Sequence, residues 1–384
     1  MDFSLSQEQQ MIQDAVRKFA QAQILPHSRD WEQAKTFPRD LLYKMGELGY
    51  LGVPVPEEYG GTGLDYISEA IVFEEVGYAD SSVRTTLSVQ MSLVELTILK
   101  WGTEEQKREY LPKLCSGEWL GCFGLTEPDA GSDAGNVATT AVRDGDGWLL
   151  SGQKVWISNG TWADVAIIFA QTEPGSKHRG MVAFIVDPKS PGYSSRKMHG
   201  KLGLHASDTG ELFLDNVRVP DRARLGQVGE GFKVAMSALD NGRYGVASGC
   251  VGTAQRALDV SVRYAKERIA FSRPIAGFQL VQDMLAQMKV NVETARLLVY
   301  HAGWVKNQGK SSTIPVSIAK YHCAEVAKQN ADMAIQVHGG YGYSDEYIPE
   351  RLWRDCRVAS LYEGTSQIQK LIIGRDLTGI SAFE

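Results

Sequence analysis

The sequence predicts a mainly α protein in which a small β domain is inserted between two helical domains. Three observations carry this. Over residues 1–118 apolar side chains recur at three-to-four spacing, the period of an amphipathic helix. Over residues 119–227 the pattern switches to short apolar runs bounded by turn residues, the signal of strands. Over residues 228–384 long amphipathic patterns return, joined by short links, as in an antiparallel helical bundle. A chain of 384 residues has room for two or three such domains.

In the first region, Met11, Ile12, Ala15, Val16, Phe19 and Ala20 define one helix. Ser6 precedes it with Gln9 three residues on, the pattern of a capping box, and Pro26 ends or bends it. A second helix is expected near Asp40 to Leu48, then a proline- and glycine-rich loop from Val53 to Leu64. Helices follow over Ile67 to Val76, Leu87 to Lys100 and Glu104 to Leu114. In the middle region, strands are expected at Trp148–Leu150, Lys154–Ile157, Val165–Ala170, Met181–Val186, Glu211–Asp215 and Val217–Val219. Asp144-Gly145-Asp146-Gly147 is a hairpin signal, and strands at this spacing suggest a small antiparallel sandwich or barrel. In the last region the helical patterns cover Phe232–Leu239, Tyr244–Lys266, Gln279–Gly309, Ile314–His338 and Asp345–Ala359.

The composition is that of a globular protein: 43% hydrophobic, 22% charged, with eight tryptophans and fifteen tyrosines to fill cores. Net charge is -6 and no basic block occurs, so nucleic acid is not expected as a partner. The N-terminus, Met1-Asp2-Phe3-Ser4, carries no basic and apolar signal, and no segment has the ~18 to 20 apolar residues of a membrane span. A cytoplasmic, bacterial-type location without membrane insertion is the expectation. The five cysteines, Cys115, Cys122, Cys250, Cys323 and Cys356, form no CxxC pair and read as reduced, buried thiols. The histidines lack ligand spacing, so no metal site is expected. No GxGxxG opens a helix after a strand and no GxxxxGK[ST] occurs, which removes the usual nicotinamide and nucleoside-triphosphate folds.

Chemistry gathers near the C-terminus. The run Tyr362-Glu363-Gly364-Thr365-Ser366-Gln367-Ile368-Gln369 puts one carboxylate on a small-residue turn, ahead of a hydroxyl pair and an amide. Such a perch suits a base that must reach a weakly acidic C–H, and the glycine permits close approach of a substrate. Alone, the octamer could equally be a helix start capped by Thr365 or Ser366. Four other segments accompany it in order. They are Phe123-Gly-Leu125-Thr126-Glu127-Pro-Asp-Ala-Gly131-Ser132-Asp133, Lys154-Val-Trp156-Ile157-Ser158-Asn159-Gly160, Arg268-Ile-Ala-Phe271-Ser-Arg-Pro274-Ile-Ala-Gly-Phe-Gln279 and Gln336-Val-His-Gly339-Gly340.

Together the five segments resemble the acyl-CoA dehydrogenase family, over essentially the whole chain. The resemblance implies the same three-part fold, ending in a four-helix bundle with the catalytic loop. It implies an FAD-dependent enzyme that oxidises an acyl-CoA thioester to the trans-2-enoyl-CoA. Glu363 would take the α-proton while a β-hydrogen leaves as hydride. By the same resemblance Phe123, Leu125, Thr126, Gly131 and Ser132 line the FAD, and Trp156, Ile157 and Ser158 cover its ring. Arg268, Phe271 and Gln279 would meet the pyrophosphate and adenosine of a neighbouring subunit's FAD, with Gln336, Gly339 and Gly340 beside them and Thr365 and Gln367 closing over the cofactor. Ser132, Asp240, Arg243, Tyr362 and Gly364 match positions that serve the acyl-CoA. The shared cofactor implies a homotetramer built as a dimer of dimers, and the family's usual electron acceptor is electron-transfer flavoprotein.

The residues themselves are consistent with this: arginine's fork and bare glycine backbone suit a pyrophosphate, and an aromatic with nearby hydroxyls suits a flavin edge. Taken singly, Trp156 reads as core, Arg268 as a solvated helix charge and Gly131 as a turn. Arg84-Thr85-Thr86-Leu87-Ser88 adds a resemblance to the glutaryl-CoA dehydrogenase branch, in which the matching arginine and serine hold a distal carboxylate. Alone, Arg84 would be a solvated surface charge. Two departures from that branch bear on decarboxylation more than on carboxylate binding: Ser366-Gln367-Ile368-Gln369 replaces its histidine-containing loop, and Gly77 stands about where it has an acidic residue. The expected acyl group is a short or medium straight chain, a branched chain, or a dicarboxylic (glutaryl-like) chain that is not decarboxylated. The alternatives are an acyl-CoA oxidase and a non-catalytic CoA-ester-binding flavoprotein.

Overall fold

The computed structural model describes residues 4–382. The first helix, α1 (Gln7–Phe19), opens on the expected capping box: the Ser6 hydroxyl accepts from the Gln9 N–H while the Gln9 side chain accepts from the Ser6 N–H. It continues as a π-helical turn, Ala20–Ile24, that stops short of Pro26. Next come α2 (Ser28–Ala34) and α3 (Asp40–Glu47). The sequence pattern missed α2, which at seven residues is too short to display a period. After the proline-rich loop, α4 (Tyr66–Ala79) is buried along most of its length. Then α5 (Ser81–Ser88), a π-helical stretch (Val89–Glu95) and α6 (Leu96–Trp101) run on without a break, starting six residues before the expected Leu87. Asp80 starts this rod, its carboxylate accepting from the N–H groups of Ser82 and Val83. The region closes with α7 (Glu104–Cys115).

The middle region is one eight-stranded sheet: β1 (Gly121–Gly124), β2 (Thr140–Asp144), β3 (Gly147–Ser158), β4 (Val165–Gln171), β5 (Met181–Val186), β6 (Tyr193–Lys197), β7 (Thr209–Pro220) and β8 (Arg224–Leu225). The spatial order is β6-β7-β3-β2-β4-β5-β8, with β1 on β4. The hairpin falls where expected, with Asp144 opposite Gly147. The expectation of a purely antiparallel sheet needs correcting, because β1 and β2 both pair with β4 in parallel. All seven residues of β4 are buried, so its unbroken apolar run records a central strand covered on both faces.

The last region begins with α8 (Gly231–Glu267), a single 37-residue helix where the pattern suggested two. Asn241-Gly242 does not interrupt it, because helix packing outweighs the weak propensity of one glycine. A hairpin of β9 (Ile269–Ala270) and β10 (Arg273–Pro274) leads to α9 (Gln279–Asn307), α10 (Thr313–His338), α11 (Pro349–Cys356) and α12 (Ser366–Thr378). Helices α8, α9 and α10 pack on one another around small residues such as Ala254, Ala295, Ala324 and Ala327, and α12 lies on α10. Helix α4 lies along α8 and α9, which joins the two helical regions. Among the described residues no helix is long and apolar enough to cross a membrane.

Two carboxyl groups are buried where α4 meets the π-helical stretch. Glu69 has Ser92 Oγ at 3.4 Å and a charge partner in Lys306, yet burial raises it to about 7 from the ordinary 4.5. Neither oxygen of Glu95 makes a well-formed hydrogen bond; burial, joined by the charge of Glu69 and only partly offset by Cys115 and Gln90, holds it well above the ordinary value. A carboxyl raised on folding loses protons first in the unfolded chain. Its contribution to stability therefore falls as pH climbs from about 4.5 through the folded value. Glu95→Gln removes that loss. The variant is expected to unfold at higher temperature than the parent at pH 8, with the gap shrinking toward pH 5, as read by thermal melts.

Candidate active site

Glu363 sits on a loop between a 3-10 turn (Arg357–Ser360) and α12. Thr365 is the N-cap of α12, its hydroxyl accepting from the Ile368 N–H at 3.2 Å, as the capping reading of the octamer expects. Glu363 has φ 52 and Gly364 φ 87. A non-glycine residue in the left-handed region is disfavoured by roughly 1–2 kcal/mol, so its surroundings must hold it there. They do so through carbonyls. Lys320 Nζ donates to Tyr362 O at 2.9 Å and to Gly364 O at 2.6 Å. Arg243 Nε donates to Glu363 O at 3.1 Å, and Gln369 Nε2 to Gly364 O at 3.1 Å. Arg243 is in turn braced by Asp240 at 2.9 Å, which also accepts from Thr313 Oγ1.

The Glu363 carboxyl turns inward. Its Oε2 is closed from solvent without a hydrogen-bond partner and lies against the backbone of α8 so closely that a methyl group on Gly242 would overlap it. Burial raises this carboxyl to about 7, against the charges of Lys320, Arg84 and Arg243. A carboxyl poised there changes charge within the neutral range, where a side chain can exchange protons with a weak acid.

Three turns of α8 continue the same face. Gly242, Gly245 and Gly249 are stacked at three- and four-residue spacing. A Cβ on Gly245 would meet Ser88 Oγ at 2.8 Å and Ser92 Oγ at 3.1 Å. One on Gly249 would meet Arg84 Cδ at 2.5 Å and Nε at 2.6 Å. Arg84, far from being a solvated surface charge, is only 4% exposed. It donates from Nη2 to Tyr362 Oη at 2.8 Å, but its Nε has no partner. Ser88 Oγ, over Gly245, is buried and unpartnered as well. Unsatisfied polar atoms along bare helix backbone are costly by themselves.

The remaining expected residues fall into two groups. On the β domain, Phe123 and Leu125 are buried at the end of β1, with Thr126 half-buried beyond them and Gly131 and Ser132 on an exposed loop. Trp156 is 61% exposed between buried Val155 and Ile157, at φ 61, where the β3–β7 register shifts. A bulge that turns an indole outward is a device for presenting it. Ser158 is half-buried at the end of β3. Beneath this group lies a buried ion pair, Lys154 Nζ to Glu127 Oε1 at 2.6 Å, with Glu127 also accepting from the N–H groups of Ala138 and Thr139. It fixes the segment that carries Thr126. On the bundle, Arg268, Gln336, Gly339 and Gly340 line a cavity of about 580 Å³ with Tyr264, Tyr341 and others. A Cβ on Gly339 or Gly340 would meet nothing within 4 Å, so their backbone is open to whatever enters. Phe271, 92% exposed at the tip of the β9–β10 hairpin, and Gln279 at the start of α9 lie outside that lining, as do all the β-domain residues. Gln367 is exposed on the first turn of α12.

The family descriptions for the acyl-CoA dehydrogenase N-terminal, middle and C-terminal domains match residues 6–118, 122–217 and 229–378. The chain belongs to the acyl-CoA dehydrogenase family. That family is FAD-dependent. Glutaryl-CoA dehydrogenase of Desulfococcus multivorans is 44% identical over 385 residues, covering 99% of each chain. Butyryl-CoA dehydrogenase of Megasphaera elsdenii superposes with a TM-score of 0.96 at 39% identity, covering 98% of this chain and 100% of that one. A glutaryl-CoA dehydrogenase of Mycobacterium smegmatis, solved in complex with FADH2, superposes with a TM-score of 0.95 at 38% identity, covering 99% and 97%.

Sequence reasoning missed Lys320 and the glycine face of α8. Both left a signal. Lys320 lies in register with Val316, Ala319, Cys323 and Ala327, so it is a charge placed on the apolar face of α10. The glycines recur at helical spacing inside a helix that has no need of flexibility there.

Proposed function

We propose that this protein oxidises an acyl-CoA thioester to the trans-2-enoyl-CoA, with Glu363 as the base that takes the α-proton. The observation that carries this reading is the buried, unpartnered Glu363 Oε2 against Gly242, with its proton affinity raised toward neutrality. The residues present suit FAD. Trp156 offers an exposed indole on a bulge, Thr126 and Ser158 offer hydroxyls near it, and Arg268 with the open backbone of Gly339 and Gly340 suits a pyrophosphate. Phe123, Leu125, Gly131, Ser132, Ile157, Thr365 and Gln367 complete the set we assign to it. Bound there, FAD supplies the acceptor for the β-hydride.

The chain's own residues do the rest. The Glu363 carboxylate removes the proton, and negative charge then grows on the thioester oxygen. Among the described residues no protein group accepts from the Glu363 N–H, which leaves that donor for the oxygen. Arg243 and Asp240 hold the turn from below, and at Gly364, φ 87, a Cβ would come within 2.6 Å of Gln369 Nε2, so only glycine fits the turn.

For the acyl group we propose a short dicarboxylic tail of glutaryl type, bound by Arg84 and Ser88. Arg84 and Glu363 stand over Gly249 and Gly242, seven residues and so about 10 Å apart along α8. A glutaryl chain spans about 4 Å from its α-carbon to its terminal carboxyl carbon, and contacts of about 3 Å at each end complete the distance. An anionic tail also gives the buried guanidinium the partner its Nε lacks. The family relatives include glutaryl- and butyryl-CoA dehydrogenases, and Arg84 favours the former class.

We further propose a homotetramer, a dimer of dimers, with each FAD held between two subunits. The separation of the Arg268–Gly340 cavity from the β-domain residues supports this, as do the exposed Phe271 and Leu280 beside it. Electron-transfer flavoprotein is the proposed acceptor of the electrons.

Glu363→Gln is expected to keep FAD and CoA-ester binding but to slow flavin bleaching by substrate by at least ~10³-fold; undiminished turnover contradicts the assignment. In the parent enzyme kcat/KM is expected to fall below pH about 7, as the raised Glu363 carboxyl protonates. Arg84→Ala is expected to lower kcat/KM for glutaryl-CoA by ~10²-fold or more while sparing butyryl-CoA. Equal losses on both esters remove the carboxylate clamp, and an acyl-CoA panel with an artificial acceptor reads the result.

A further inference from the structure

Lys320 is a buried ammonium that the reaction outlined above does not use. It is fully buried on α10, and its Nζ binds Tyr362 O and Gly364 O, the carbonyls on either side of Glu363. Arg243 takes the carbonyl between them. Three consecutive carbonyls of the loop are thus turned toward two cations. Residues 363 and 364 are both left-handed, a conformation that a free loop with a glutamate in it would leave.

We propose that Lys320 is a positioning residue for the base. Its ammonium draws the two flanking carbonyls to one side and so fixes the Glu363 carboxyl over Gly242 and its N–H toward the space where the thioester lies. The inference rests on the reading of Glu363 as the base. Two features argue against mere packing. A buried ammonium is costly, and an apolar side chain of similar length would fill the same volume without that cost. The charge also acts on the carboxylate itself: Lys320 is the foremost of the three cations that oppose the effect of burial on Glu363, ahead of Arg84 on α5 and Arg243 on α8. The other titratable groups facing Lys320 are Cys250 and Arg243 on α8 and Glu325 on α10.

The sign of the effect follows. The base works ionised, so kcat/KM declines as pH drops through its pKa. Removing a neighbouring cation raises that pKa and moves the acid limb to higher pH. A loop loosened without loss of charge lowers the rate at every pH and leaves the limb in place.

The test compares Lys320→Met and Lys320→Arg with the parent as FAD-loaded proteins. The methionine variant is expected to lose about 10²-fold in kcat with KM within about 3-fold, since a small misplacement of the base suffices for that. Its acid limb is expected to shift up by about one pH unit, with the arginine variant returning the limb toward the parent's. A readout that does not depend on turnover is the infrared carboxyl band of Glu363, identified by its loss in Glu363→Gln. It is expected to titrate at higher pH in Lys320→Met than in the parent, with or without flavin. An unshifted limb and an unshifted band overturn the proposal even if the rate falls. If Lys320→Met does not fold, Lys320→Gln, which keeps a donor without the charge, is read the same way. Failure of both to fold marks Lys320 as structural and overturns the proposal too. The two readings stay separable: full activity in Glu363→Gln removes the base itself, whereas an inactive Glu363→Gln with an unchanged Lys320→Met profile removes only the role given to Lys320.

Discussion

Bare backbone along one face of α8 is the constraint on which the site depends. Gly242, Gly245 and Gly249 have no side chains, and the space they leave is taken by Glu363, by Ser88 and Ser92, and by Arg84. A single methyl group at the first position collides with the carboxyl, and one at the third collides with the guanidinium. Glycine inside a helix is unfavourable by up to ~1 kcal/mol relative to alanine. A 37-residue helix packed against α4, α9 and α10 can sustain several, and that packing is why the helix does not break at Asn241-Gly242.

Charge is distributed around the same face. The interior holds Arg84, Arg243 and Lys320 close to one carboxylate, Glu363. Each cation is tied to something else as well: Arg84 to the Tyr362 hydroxyl, Arg243 to Asp240, Lys320 to two backbone carbonyls. The carboxyl is therefore surrounded by positive charge but hydrogen-bonded to none of it through Oε2, and burial prevails. That balance leaves a carboxyl that titrates near neutrality, as the proposed base requires, where a fully paired carboxylate would be too weak to take a proton from carbon.

Much of this was legible in the sequence, and the exceptions have physical causes. The capping box at Ser6, the hairpin at Asp144–Gly147 and the long helices α9 and α10 are local, so local pattern finds them. Helix α2 was too short to show a period, and the parallel partners of β4 depend on chain crossings that no window of residues contains. The octamer around Glu363 announced a cap, which Thr365 supplies, and it pointed to the carboxyl that we propose as the base on the same turn. Arg84 was the reverse case: composition favours a surface position for an arginine, and only the tertiary fold of α5 against α8 buries it. Lys320 acts through backbone carbonyls 42 and 44 residues away, a relation invisible to motif.

A crystal structure of the FAD-loaded protein with an unreactive glutaryl-CoA analogue tests the central claim most directly. The account predicts the α-carbon within about 3.5 Å of the Glu363 carboxyl and the distal carboxylate on the Arg84 guanidinium. A tail carboxylate lying in solvent, with the α-carbon out of reach of Glu363, contradicts it.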